Sequence, residues 1–289
     1  MTATLLRSKQ EAAPVVRPRR DIPLIVAVIV LAVFVLAAVF APLLTPIDPT
    51  ASDFSRTYRP MEPGAILGTD SSGRDIFSRL LYGARVSLVA PAVIVLVAGV
   101  LGTLIGIVSA VAGGVVDRVL SRLLDIGFAF PGMLLAILAV AMFGAGLAPV
   151  VIALAIAYVP YIGRIVRNVA VGEMVLPYID ALLSVGQSRW RIAVFHVLPA
   201  VLPTAMAQMT VSYGYAMVDL AAMSFLGMGV QPPTADWGLM VSEGQSGVMQ
   251  GYWEESVVAC AAIVVSVCAV SLIGDRLADR VGKVKEIRI

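Results

Sequence analysis

Polar and apolar residues fall along this chain in long blocks, and the blocks predict its elements. Residues from Ile22 to Leu44 carry no charge, and the run stops at Thr45-Pro46-Ile47-Asp48-Pro49. A helix needs about 20 apolar residues to cross a hydrocarbon core. This run is therefore span 1, with Asp21 as its cap and Pro23 in its first turn. Residues 45–85 are too charged to cross. Val86 to Val116 is uncharged and gives span 2 with its exit, and Asp117, Arg118, Arg122 and Asp125 make a short polar turn. Ile126 to Gly163 is uncharged again but too long for one span. Gly144, Gly146 and Pro149 divide it into spans 3 and 4. Residues 164–196 are polar, span 5 covers Val201 to Phe225, and span 6 covers Ser256 to Gly274. A loop holding Asp236, Trp237 and Glu243 joins the last two spans, and a polar tail follows from Asp275 to Ile289.

Backbone polar groups in lipid must satisfy one another, so spans of this length imply an all-α integral membrane protein with six transmembrane helices. An even number of spans places both ends on one side. The expected organisation is a tail at 1–21, a first span with its outer segment at 22–85, a five-span core at 86–274 and a second tail at 275–289. The apolar run from Ile22 is too long for a signal peptide and lacks a small-residue exit.

Composition agrees: of 289 residues 59% are hydrophobic and only 14% charged, with a mean hydropathy of +0.92. A soluble domain carries about a quarter charged residues. The net charge of +2 becomes informative once it is sorted by segment. With the N-terminus inside, inner segments hold sixteen of the twenty-one Lys and Arg. Outer segments hold Arg56, Arg59, Arg74, Arg79 and Arg85 against nine acids from Asp48 through Glu255. The positive-inside rule then predicts cytoplasmic termini and a cytoplasmic 164–199 loop, which is the inner face of a cell membrane.

Within that loop Pro177 starts a short helix, Tyr178 to Val185, and Gly186 ends it as a C-terminal cap. Ser188 caps a second helix whose Arg189, Trp190 and Arg191 give a cationic, aromatic face, and Leu198-Pro199 marks the entry to span 5. Two short helices lying on the membrane surface around a glycine suit a partner's groove. They equally suit an amphipathic surface helix held by anionic lipid. On the outer side Phe77, Leu80, Leu81, Ala84 and Leu88 fall at helical spacing, with Asp75, Ser78, Arg79, Tyr82 and Arg85 opposite. This predicts an interfacial helix with an Asp75–Arg79 pair, as a gate-side element or as a structural collar.

Few residues offer chemistry. His196 is the only histidine, so no Cys/His metal set is available, and His196 is expected at the mouth of span 5. Cys260 and Cys268 lie two turns apart in one apolar run, too far apart along a helix for a disulfide. The chain has no P-loop, no G-x-S-x-G and no H-E-x-x-H, hence no catalytic residue and no metal ligand to nominate. Gly102 and Gly106 form a GxxxG in span 2 that lets helices approach closely, expected to mediate association with a second chain, with packing inside the bundle as the alternative. Asp219 in span 5 is either a pore-side acid or an interfacial residue reaching outward.

Asp180, Ala181, Leu182, Gly186, Leu198 and Pro199 resemble the EAA loop of ABC-importer permeases, with Asp in place of Glu and Leu182 in place of the second Ala. LGTDSSGRDIFSRLLYGARVSL (67–88), FAFPGMLLAI (128–137) and SFLGMGVQPPTADWGLMVSEGQ (224–245) resemble segments of the second permease subunit of dipeptide/oligopeptide importers. The tail lacks that family's DPR ending, Ala200 stands where Asn is common, and Leu220 stands where Glu is common.

The resemblance implies a type I ABC-importer permease fold. It implies as partners a second homologous permease, two ATPase subunits, an extracytoplasmic solute-binding protein and membrane lipid, with no nucleic acid. ATP and Mg would be bound by the ATPases, leaving this chain without a cofactor. It implies an ATPase-coupling role for Asp180, Ala181, Leu182, Gly186, Arg189, Trp190, Leu198 and Pro199. Asp70, Gly73, Arg74, Asp75, Asp236 and Trp237 become candidates for the outer face or gate. The solute would be a di- or oligopeptide, with glutathione, a nickel chelate or a sugar as alternatives. A stand-alone secondary transporter would need inverted repeats and a polar midplane site. A membrane enzyme would need a nucleophile, base or metal set.

Overall fold

A computed structural model describes residues 22–62 and 64–286, with side chains through residue 278. The N-terminal tail, the Asp21 cap and the end of the C-terminal tail lie outside the described residues. Among those residues the architecture is helical, with two isolated bridges and no strand.

Helix α1 (Ile22–Val39) ends at Phe40, where Pro42 of the short α2 (Ala41–Leu44) restarts the chain. After a loop folded around a single 3-10 turn at Phe54–Arg56, α3 runs unbroken from Ile76 to Ala112. Its 37 residues would span about 55 Å at 1.5 Å per residue. The amphipathic stretch expected to lie on the membrane surface is therefore the first three turns of span 2 itself.

Gly113 and Gly114, both at positive φ, end α3 and release α4 (Gly114–Ala129). The polar turn expected around 117–125 is thus part of a helix. That helix breaks at Phe130-Pro131 and resumes as α5 (Gly132–Phe143), bent by 80°. Proline disfavours helical geometry at the residue before it and has no N–H to donate, which explains the break. Span 3 is therefore a bent pair and not one straight helix. The expected break at Gly144–Gly146 is also present, with Gly144 at φ 90°, and leads into α6 (Leu147–Met174).

Beyond α7 (Pro177–Ser184) and α8 (Arg189–Ile192), a π turn at Ala193–Val197 joins α8 directly to α9 (Leu198–Phe225). Leu198 N–H bonds the Ala193 carbonyl, five residues back. Pro199 has no N–H for the carbonyl four residues before it, and the widened turn absorbs that mismatch. The second short helix is consequently the end of span 5, not a separate surface helix. Two short helices, α10 (Trp237–Glu243) and α11 (Gln245–Met249), precede α12 (Glu254–Glu286), which carries the helix through most of the expected tail.

Among the described residues five helices are long and apolar enough to cross a membrane, and the bent α4–α5 pair, counted as one span, makes a sixth. The core is built on α3 against α6. A Cβ at Gly102 would meet Gly163 N at 2.9 Å, and one at Gly106 would meet Arg167 N at 2.8 Å. Of the two expectations for the GxxxG, packing inside the bundle is the one observed, because only glycine lets α3 and α6 approach this closely. Those same contacts make α3 and α6 parallel. The ends of α3 and α6 at Ala112 and Met174 share one end of the bundle with α7 and α8, and Ile76 lies at the other.

Candidate functional site

Three places gather the residues singled out in the sequence. The first is the protrusion formed by α7 and α8. Leu176, extended, precedes Pro177 at the helix start, and Asp180 lies in the first turn, where the helix dipole favours an acid. Gly186 N–H bonds the Leu183 carbonyl at 3.0 Å and Gln187 N–H the Leu182 carbonyl at 3.1 Å. This paired closure requires a left-handed residue, and Gly186 supplies it at φ 84°. Ser188 Oγ then accepts from Arg191 N–H at 3.3 Å and caps α8.

Ile179 and Ile192, both fully buried, share one apolar cluster with Val111 of α3 and with Val166 and Ala170 of α6. Burial of such a side chain stabilises by about 1.5–3 kcal/mol. Asp180, Ala181, Gly186, Arg189, Trp190 and Pro199 are exposed, while Leu182 and Leu198 are half-buried. His196 lies in the π turn, its ring tilted against Tyr178 at 6.2 Å. The result is a rigid knob with an apolar, cationic and acidic outer surface, built as one piece with span 5.

The second place is a cavity of about 360 Å³ beside the α4–α5 break. Phe128 and Phe130 come from the break, Tyr158 and Tyr161 from α6, and Tyr215 and Asp219 from α9. Asp219 Oδ2 accepts the Tyr158 hydroxyl at 2.9 Å. Asp219 therefore faces a cavity and not the helix end.

At the end of the bundle away from the knob, the nominated outer-face residues are almost all interior. Asp70 Oδ2 accepts from Arg74 Nε at 2.6 Å and from Arg79 Nη1 at 3.2 Å. Glu243 Oε2 accepts from Arg74 Nη2 at 3.0 Å and from Arg79 Nη2. Glu255 Oε1 stands 4.0 Å from Arg79 Nε. Burial draws the Arg74 guanidinium down, but Asp70 and Glu243 outweigh it and hold it above its ordinary value. Arg79 has no exposure at all, so the first part of the polar face expected for residues 75–85, with Asp75 and Ser78, points inward, while Arg85 stays exposed. The expected Asp75–Arg79 side-chain pair gives way to this cluster, and Asp75 caps α3 by accepting from Ser78 N–H at 2.7 Å. Burial also raises the Asp75 carboxyl, against that hydrogen bond.

Gly73 sits at φ 73°, where a Cβ would lie 1.8 Å from the Asp53 carbonyl oxygen, so no side chain fits. Asp236 caps α10, accepting from Leu239 N–H at 3.2 Å and from Ser87 Oγ at 2.7 Å. Burial pushes its carboxyl up, partly offset by those bonds. Trp237 is enclosed between Phe34 and α3, its indole N–H bonding the Leu80 carbonyl at 2.9 Å. These residues lock two loops onto α3 and α12, the collar arrangement. Sequence reasoning missed the parts played by Arg79, Glu243 and Glu255. Their charges, spread over two outer segments, were the only signal.

Residues 102–283 match the family described as binding-protein-dependent transport system inner membrane component, more than half of the chain. The chain belongs to this family of permeases. Residues 19–62 additionally match the N-terminal transmembrane domain of oligopeptide transport permease C. The permease is 38% identical to the glutathione transport system permease protein GsiD of Pectobacterium atrosepticum, over 78% of this chain and 75% of the other. It is 36% identical to the dipeptide transport system permease protein DppC of Alkalihalophilus pseudofirmus, over 88% and 84%. The DppC of Haemophilus influenzae is 33% identical over 88% of each chain. Among solved structures, a chain of the inward-facing MetNI methionine ABC transporter superposes with a TM-score of 0.58 at 20% identity, over 70% of this permease and 96% of that chain. The fold is thus that of type I ABC-importer permeases. The permease is a multi-pass inner-membrane subunit of an ABC importer and is not itself an enzyme.

Proposed function

We propose that this permease carries di- or oligopeptides and that the α7–α8 knob couples it to ATP hydrolysis on other chains. The knob is the observation that carries the coupling reading. It is exposed on its outer surface, anchored by Ile179 and Ile192, and continuous with span 5 through residues 189–225. A push on Asp180, Ala181 and Trp190 is therefore delivered to α9 as rigid-body movement. Peptide transport is supported by the dipeptide permeases among the relatives, and glutathione, itself a small peptide, is the solute named for another.

The proposed working complex holds this chain, a second homologous permease, two ATPase subunits and an extracytoplasmic solute-binding protein. ATP and Mg belong to the ATPases, and this chain contributes no cofactor site. The Lys and Arg distribution supports cytoplasmic termini and a cytoplasmic knob. The collar around Asp70, Arg79 and Asp236 would then face outward, toward the solute-binding protein.

Co-purification tests the coupling reading. Asp180→Lys and Trp190→Ala should insert and fold as the wild type does, yet retain less than a tenth of the ATPase subunits. Full retention by both variants would remove the knob from the docking surface.

A further inference from the structure

We propose that Asp219 and the aromatic rings around it form a subsite for the primary ammonium group of the solute. The inference rests on the reading of this chain as an importer permease and adds the chemistry its pathway recognises. Asp219 lies within span 5, where a charged side chain is costly and normally pairs or faces a cavity. Two other acids near the spans pair with arginine, Asp117 with Arg167 and Asp125 with Arg164. Asp219 has no such partner among the described residues. It accepts from the Tyr158 hydroxyl through Oδ2, and its side chain lines the cavity.

The walls favour the same ligand. Phe128, Phe130, Tyr161 and Tyr215 line the cavity, and no Lys or Arg does. Ring faces attract cations electrostatically, most strongly where water is scarce. One ring already shows the preference, because the Arg164 guanidinium sits 5.1 Å from the Phe128 centroid. Phe130 and Tyr215 are 65% and 61% exposed in this chain. At about 360 Å³ the cavity lies at the small end of ligand sites, enough for an amino terminus and its first side chain. Placement at a broken span is also informative, since non-helical backbone at membrane depth survives only against protein or a cavity.

The proposed ligand class separates the candidate solutes. Dipeptides, oligopeptides and glutathione each present a primary ammonium group, whereas a sugar does not. An ammonium would replace the missing counter-ion of Asp219 for the time it passes, and leave again because no second acid holds it.

The test uses the purified complex of both permeases and both ATPases, without the binding protein. L-alaninamide, an ammonium at neutral pH, and N-acetyl-alaninamide, its neutral counterpart, are titrated calorimetrically. The wild type should bind alaninamide at least tenfold more tightly than the acetylated probe. Asp219→Asn keeps an acceptor for Tyr158 but removes the charge, and should abolish that preference. Phe130→Ala should weaken alaninamide binding several-fold while leaving the complex assembled. Equal binding of both probes to the wild type, or an unchanged preference in Asp219→Asn, would overturn the subsite. Uptake of labelled dialanine into proteoliposomes, measured separately with the binding protein, tests the peptide reading. Loss of that uptake activity from the wild type would sink the reading without touching the binding result.

Discussion

Replacing Arg79 by methionine should destabilise the permease more than any other single change at the collar. Arg79 is fully buried, and its guanidinium is shared among Asp70, Glu243 and Glu255. The acceptor atoms of those three acids all lie within 4.8 Å of one another. At an effective dielectric near 20, two like charges about 5 Å apart repel by about 3 kcal/mol. The wild type offsets this with two arginines, and the variant would have Arg74 alone. Removing one partner of a buried ion cluster costs about 3–5 kcal/mol, which agrees with that figure. Arg79→Lys keeps the charge but loses the planar fork, and should cost about 1–2 kcal/mol. A second substitution, Glu243→Gln, should recover at least about 1 kcal/mol of the Arg79→Met loss, because Glu243 accepts directly from Arg79. Denaturation in a detergent–lipid mixture, read as unfolding free energy, measures all four proteins. An Arg79→Met protein within about 0.5 kcal/mol of wild type would refute the idea that the Arg79 guanidinium holds this cluster together.

Three further outcomes are expected. Gly106→Ala places a Cβ against the Arg167 and Gly163 backbone of α6 and should lower stability by about 1–3 kcal/mol; Gly172→Ala on α6, which meets nothing within 4 Å, should be neutral or stabilising by up to about 1 kcal/mol in the same unfolding assay. Gly186→Ala must hold φ 84° and should cost about 1 kcal/mol through strain alone, seen as faster proteolysis of the 177–192 segment than in wild type. Burial raises the Asp236 carboxyl above its ordinary 3.8, so the native state holds this proton more tightly than the unfolded chain. Its contribution to stability is therefore full at low pH and declines as pH rises above 3.8. Asp236→Asn keeps the helix cap, and its Tm relative to wild type should increase with pH over that window.

How far the sequence reveals this molecule depends on the range of the interactions. The cap pair at Gly186 and Ser188 is legible because each closes within five residues. The break at Gly144 is legible for the same reason. Pro131 carried an equally local signal, but the uncharged run around it suggested an uninterrupted span. The collar was not legible. Arg79 and Glu243 are 164 residues apart, and nothing in either neighbourhood names the other. The GxxxG announced a close helix approach correctly but not its partner, because Gly163 lies on a helix whose direction depends on the bent α4–α5 connection. Asp219 was readable as a cavity-facing acid or an interfacial one, and only the placement of Tyr158 across from it separates the two.

The knob remains the centre of the account, and its rigidity can be tested without disturbing any span. Gly186→Pro removes the left-handed residue that joins α7 to α8, since proline cannot adopt φ 84°. The measurement is ATP-driven solute uptake by the complete complex in proteoliposomes, with ATPase activity recorded alongside. The account predicts that Gly186→Pro inserts and pairs normally but loses both uptake and solute-stimulated ATP hydrolysis. Uptake and stimulated hydrolysis equal to wild type would contradict it.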